Sequence, residues 1–148
     1  MIIDGPLKIG FVLDDSLDKP DGVQQYVITL GEYLRGQGHD VHYLVDKTSR
    51  TDLANIHSLS RNMNVRFNQN RMSMPLPAPL EPIRRLLSDE QFDVLHVQMP
   101  YSPFLAGRII KQAPARTGVV GTFHVAPHGW MVHAANWLLR WLIEGSLR

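Results

Sequence analysis

The chain has 148 residues, 44% of them apolar and 20% charged, with fifteen Lys and Arg against fourteen Asp and Glu. That length suits one domain with an ordinary core, and the near-neutral charge excludes a protein that coats nucleic acid through its phosphates. The absence of cysteine excludes thiol catalysis, disulfide staples, thiolate zinc sites and iron–sulfur clusters, and it suits the cytoplasm.

The first fifteen residues place acidic side chains on both sides of a short apolar run, which is not the basic start and long apolar stretch of a signal peptide. Lys8 to Leu13 is mostly apolar and ends in Asp14-Asp15, the form of a strand buried on both faces of a parallel sheet. Turn formers fill Asp15 to Gly22. From Val23 the apolar positions Val23, Tyr26, Val27, Leu30 and Leu34 recur at helical spacing, and the helix is expected to stop at Gly36-Gln37-Gly38, with Gly supplying a left-handed cap. Val41 to Val45 follows as a second strand, completing a βαβ unit.

Between Asp46 and Pro79 the pattern is weak, with one short strand expected at Val65–Phe67 and a loop carrying four of the ten prolines at 74–82. A helix is expected from about Pro82 to Asp89, then a buried strand over Phe92–Val97, a loop through Met99–Pro103, a helix from about Phe104 to Gln112, and a fifth strand over Gly118–Phe123. Alternation of this kind predicts an α/β Rossmann-like parallel sheet of about five or more strands with helices on both faces. Trp130 to Arg148 reads as a final helix with a narrow polar face of His133, Asn136, Arg140, Glu144 and Arg148. Its broad apolar face is expected to pack on the sheet and meet another domain, the alternative being a membrane-surface helix. No stretch reaches the roughly 20 consecutive apolar residues of a membrane span.

In open parallel sheets ligands bind beyond the carboxyl ends of the strands, which here means Asp14 to Gly22, Gln98 to Ser102 and His124 to Gly129. The first segment leads into a helix N-terminus, where unpaired N–H groups favour an anion such as phosphate, and Gly22 lets that backbone approach closely; the same residues also suit a plain turn and cap. His124 places an imidazole at the mouth of the crevice, able to bond a phosphate or a hydroxyl or to exchange a proton. His96, inside a strand, reads as a satisfied core residue. His124 and His128 are four apart without accompanying carboxylates or an HExxH pattern, so no metal site is expected. Neither GxGxxG nor GxxxxGK[ST] is present, which disfavours dinucleotide oxidoreductases and P-loop enzymes.

Three segments carry a family resemblance. Pro20-Asp21-Gly22-Val23-Gln24-Gln25-Tyr26-Val27, continued by Leu30, Leu34 and Gly38-His39-Asp40-Val41, resembles P-G-G-V-x-x-H-V…L-A-x-x-L…G-H-x-V. Phe92 to Pro100 is similar to F-D-V-[IL]-H-x-H-x-P, and Thr122-Phe123-His124 to T-x-H before a long helix. Together they resemble the N-terminal half of a retaining glycosyltransferase of the two-domain GT-B fold, in the family 4 that includes phosphatidylinositol mannosyltransferases.

The resemblance implies that residues 1–148 are the acceptor-side domain, inactive alone, of an enzyme that transfers a hexose from a nucleotide-sugar to an acceptor alcohol with retention. The nucleotide-sugar domain, with its E-x(7)-E carboxylates, is expected outside this sequence. His124 would take the catalytic contact to the transferring sugar or phosphate, Gly22 and Val23 the donor diphosphate and sugar, and Asp15, Gln98, Tyr101 and Ser102 the acceptor side, with no cofactor and no metal. The implied partners are a UDP- or GDP-hexose and a sugar or lipid-linked acceptor, not nucleic acid. The implied location is the cytoplasm, with peripheral contact at the inner membrane face as a second expectation. Three departures stand out: Asp21 in place of the first Gly of the pair, Gln98 in place of the usual His, and Tyr26 in place of the helix His. A stand-alone, non-enzymatic α/β domain that binds a small ligand or another protein is the competing reading.

Overall fold

A computed structural model describes residues 5–19, 21–60, 62–67, 70–124 and 137, of which 62–67 and 70–75 are described by their backbone alone. The elements follow in the order β1 (Lys8–Val12), α1 (Gly22–Gly36), β2 (Asp40–Asp46), β3 (Ile56–Ser60), β4 (Asn62–Phe67), β5 (Asn70–Pro75), α2 (Leu80–Glu90), β6 (Val94–Gln98), α3 (Leu105–Gln112) and β7 (Gly118–Thr122). Five strands form one parallel sheet in the order β3-β2-β1-β6-β7. The chain thus has the Rossmann-like α/β fold that the sequence predicts.

Strand alternation divides the core into two layers. Ile9 and Phe11 of β1, with Leu13 just beyond it, join Val41, Tyr43 and Val45 of β2 on the face covered by α1, where Val27 packs. On the opposite face Val12, Leu44, Leu95 and Val97 meet Ile83 and Leu87 of α2 and Leu105, Ile109 and Ile110 of α3. Successive side chains of a strand point to opposite faces, so central strands that bury apolar side chains on both faces require helices on both sides. Burial of each large side chain among them, such as Phe11 or Leu95, contributes about 1.5–3 kcal/mol.

Two glycines shape α1, one by a close approach and one by its backbone conformation. A Cβ at Gly31 of α1 would clash with the Tyr43 ring, 2.9 Å from Cζ, so the glycine lets the helix lie directly on that ring. Gly38 takes φ +93° just beyond α1, and its N–H donates to Arg35 O at 2.9 Å. This is the left-handed stop expected there.

The expectation for the middle of the chain needs one correction. Val65–Phe67 is extended but belongs to β4, which pairs antiparallel with β5 in a separate two-stranded sheet. The fifth strand of the main sheet is β3, which sequence reasoning missed. It is an edge strand whose residues are mostly half-buried or exposed, so it lacks the continuous apolar run of an interior strand. The expected helix over 130–148 lies outside the described residues except for Trp137, which is exposed.

Candidate functional site

The carboxyl ends of β1, β6 and β7 and the amino end of α1 open on the same side of the sheet. The loop after β1 is held there by its own acidic residues. Asp14 Oδ1 accepts from Ala106 N at 2.8 Å, tying β1 to the first turn of α3. Burial pushes the Asp14 carboxyl above the usual range, against the hydrogen bonds from Ser102 and the α3 backbone that favour its anion. Asp15 accepts from Ser16 N at 2.8 Å and from the Gln24 amide at 3.5 Å, and Lys19 Nζ lies 3.8 Å from its second oxygen. Asp18 accepts from Thr48 Oγ1 and Ser49 N at 2.7 and 2.9 Å, and these bonds, the Thr48 hydroxyl first, hold it below the usual carboxylate range.

Asp21 is the N-cap of α1. Its Oδ1 accepts from Val23 N at 3.1 Å and Gln24 N at 3.4 Å. The negative charge that departs from the Gly-Gly pattern is therefore turned onto the helix end, where unpaired N–H groups and the dipole favour it. Gly22 is exposed, and nothing lies within 4 Å of where its Cβ would be. It begins a groove of about 510 Å³ along α1, lined by Gly22, Gln25, Tyr26, Thr29, Leu30 and Tyr33.

Tyr26, one turn beyond Gly22, links that helix start to the ends of β6 and β7. Its ring stands edge-on to His124, with centroids 5.1 Å apart, and to His96 at 6.1 Å. His96, Gln98 and Thr122 lie on the α1 face because alternation places Leu95 and Val97 on the other. His96 Nε2 and Thr122 Oγ1 are hydrogen-bonded at 2.7 Å, so His96 is satisfied within the fold. Burial, and secondarily His124, push His96 below the ordinary histidine value.

Gln98, expected to face an acceptor, is only 1% exposed. Its Nε2 donates to His96 O at 3.3 Å, and its Oε1 accepts from His124 Nε2 at 2.6 Å. The side chain is a support beneath His124, because the amide at the strand's end is enclosed between β6 and the His124 ring. His124 itself is half-buried.

The loop after β6 turns sharply. Met99 takes φ 55°, its N–H donates to Thr122 O at 2.9 Å, and Ser102 N donates to Met99 O at 3.0 Å. Ser102 Oγ accepts from Phe104 N, and the Tyr101 ring packs against Phe123 with centroids 5.0 Å apart. Tyr101 and Ser102 are half-buried on this same end of the sheet. The segment after His124, His128 included, lies outside the described residues.

A second polar cluster lies at the opposite, amino end of the sheet. His42, 5% exposed, has Nδ1 2.9 Å from His57 Nε2, and Glu90 is close by. The two rings are coplanar within 1° and their centroids are 5.2 Å apart. That separation equals the N···N distance plus two ring radii, so the nitrogens point straight at each other. This is the geometry of one N–H···N bond; two lone pairs converging on an ion would be bent. Lys8 Nζ is 2.9 Å from Glu90 Oε2 and 3.4 Å from Asp40 Oδ2, so Glu90 already has a cation as its partner. Sequence reasoning did not single out this cluster, whose members come from four elements.

The residue pattern at the carboxyl end has matches in known proteins. The model for Glycosyltransferase Family 4 matches residues 20–148. A phosphatidyl-myo-inositol mannosyltransferase of Mycolicibacterium smegmatis is 30% identical over 122 residues, 81% of this chain and 31% of the relative. The protein of that name from Mycobacterium leprae is 31% identical over the same number of residues, 32% of its own length. The one from Propionibacterium freudenreichii is 30% identical over 144 residues, 90% of this chain and 37% of the relative. The chain thus spans about a third of the length of the curated relatives it matches. With the family model covering most of its residues, the chain belongs to glycosyltransferase family 4.

Proposed function

We propose that this chain is the acceptor-side domain of a GT-B hexosyltransferase that moves a mannosyl residue from a nucleotide-sugar to an inositol-lipid acceptor, with retention at the anomeric carbon. The observation that carries the reading is the convergence of the α1 N-terminus and His124 at one end of the sheet, linked by the 5.1 Å contact of Tyr26 with His124. Sugar and acceptor are drawn from the names of the relatives.

In this reading the donor's diphosphate lies at Gly22 and Val23, where the exposed Gly22 leaves room beside the helix start. His124 touches the transferring sugar, and Asp15, Tyr101 and Ser102 border the acceptor. Catalysis is electrostatic and positional: with Val23 and Gln24 N–H capped by Asp21, the positive end of the α1 dipole stabilises charge that develops on the leaving diphosphate, and the fixed imidazole orients a hydroxyl. The nucleotide is held by the part of the relatives' length that this chain does not span, so the chain alone transfers nothing. Among the described residues no helix is long and apolar enough to cross a membrane; a lipid acceptor is met by peripheral contact at the inner, cytoplasmic face.

The test is a chimera in which this chain replaces the matched segment of the Mycolicibacterium smegmatis relative. With GDP-mannose and vesicles containing phosphatidylinositol, the chimera forms an α-mannosyl lipid, and neither the isolated chain nor the His124→Ala chimera does. A folded chimera that binds GDP-mannose yet forms no product with any of a panel of lipid and sugar acceptors would overturn the reading.

A further inference from the structure

We propose that Gln98 is a positioning residue that holds the His124 imidazole in its Nε2–H tautomer, leaving Nδ1 as a hydrogen-bond acceptor for a substrate hydroxyl. The assignment of substrate rests on the transferase reading above, whereas the tautomer rests on geometry alone.

Gln98 is the last residue of β6 and is almost wholly buried, so its amide has no water to trade partners with. Its Nε2 donates to His96 O at 3.3 Å. A carbonyl oxygen can only accept, so this bond fixes which end of the amide faces each way. Turning the amide over would set Oε1 against a backbone oxygen and leave Nε2 directed at the ring. Oε1 therefore faces His124, and at 2.6 Å from His124 Nε2 it requires a proton on that nitrogen. In a neutral imidazole one nitrogen carries the proton and the other a lone pair, and the hydrogen bond of the first determines the second.

The surroundings reinforce this choice. Tyr26 closes one side of the His124 ring edge-on. His96, the neighbouring imidazole, is engaged with Thr122 at 2.7 Å, and burial lowers its tendency to carry charge. Among the described residues His124 Nδ1 makes no hydrogen bond. Reversal of the tautomer would leave a buried Gln98 oxygen facing a lone pair, a mismatch that disfavours the wrong form by about 10-fold or more.

The consequence is chemical. A neutral His124 that accepts at Nδ1 can receive a hydroxyl proton and has nothing to offer a phosphate oxygen, which also only accepts. Between the two contacts that the motif implies for this residue, a neutral ring held in this tautomer suits a hydroxyl of the sugar and not the diphosphate. The His that usually occupies position 98 is here replaced by a side chain with one donor and one acceptor end, each committed.

Nitrogen-15 labelling of the histidine rings in the full chain tests this through long-range proton–nitrogen correlations at pH 8. The expected His124 pattern is a pyrrole-like Nε2 and a pyridine-like Nδ1. In Gln98→Glu, which keeps an acceptor at this place, the pyrrole-like Nε2 persists; in Gln98→Leu the two signals move toward an averaged mixture of tautomers. A pyridine-like Nε2 in the parent chain overturns the proposal, as does an unchanged Nε2–H pattern in a folded Gln98→Leu protein. The parent and Gln98→Glu spectra decide if Gln98→Leu does not fold. An inactive chimera with the parent pattern intact would remove the transferase reading while the tautomer assignment stands.

Discussion

The Tyr26 ring meets the His124 imidazole edge-on, with centroids 5.1 Å apart and planes inclined at 67°. This contact joins the helix that starts at Gly22 to the strand end that bears the imidazole. An edge-to-face pair of this kind contributes about 0.5–1.5 kcal/mol beyond its buried area, and it restricts the ring without a hydrogen bond. Tyr26→Phe therefore keeps the contact, and Tyr26→Ala frees the ring. In the chimera, Tyr26→Ala is expected to lower kcat by about 10-fold, with Tyr26→Phe within about twofold of the parent. Steady-state rates compared across the three proteins check this, and equal loss in both variants would assign the role to the phenol hydroxyl instead.

Asp21 and the α1 N-terminus present a trade between folding and ligand. Because Oδ1 accepts from Val23 and Gln24 N–H, Asp21→Ala is expected to destabilise the chain by about 1 kcal/mol, and Asp21→Gly by only a few tenths. Urea denaturation of the full chain measures both. The glycine variant also removes a charge beside the proposed diphosphate and releases two N–H groups. Its chimera is expected to bind GDP-mannose more tightly, as read by calorimetry.

Acid sensitivity follows from two half-buried histidines. Burial first, and then His42, pushes His57 below the ordinary value of 6.5; burial and then His124 do the same to His96. The unfolded chain takes up these protons near pH 6.5, and the folded chain only at lower pH. Stability therefore rises with pH across that interval and falls on acidification from about pH 7 toward 5. Glu90, held below the usual carboxylate range by its hydrogen bond from Lys8, loses its contribution only at lower pH. Thermal melts at pH 7.5 and 5 are expected to show the drop. His57→Gln, which keeps a donor within reach of His42 Nδ1, is expected to reduce it. An undiminished drop would place the acid-sensitive group elsewhere.

Gly31 offers a packing test. A methyl group there would press into the Tyr43 ring, 2.9 Å from Cζ, and Tyr43 is fully buried with its hydroxyl donating to Glu32 at 3.1 Å. Alanine is the better helix former, yet overpacking outweighs its propensity. Gly31→Ala is expected to lose about 1–3 kcal/mol in urea denaturation, whereas Gly36→Ala, with nothing within 4 Å, is expected to change stability by less.

What the sequence determined by itself follows the strength of local patterning. β1, β2 and β6 were legible because interior strands are nearly continuous apolar runs, β7 because Val119 and Val120 form a short β-branched run, and α1 because its apolar positions recur at helical spacing between a cap residue and Gly38. β3 was not legible, since an edge strand covered on part of one face has no continuous apolar run. The position of His124 at a strand's end and of Gly22 at a helix start also came from sequence. Only the tertiary structure decided what surrounds them. That Asp21 turns its charge onto the α1 N–H groups, that Gln98 is enclosed beneath His124, and that Tyr26 reaches across to the same ring depend on contacts between residues as much as 98 positions apart. Periodicity records which face of an element is buried, but the partner of a polar group is set by which strand ends the topology brings together.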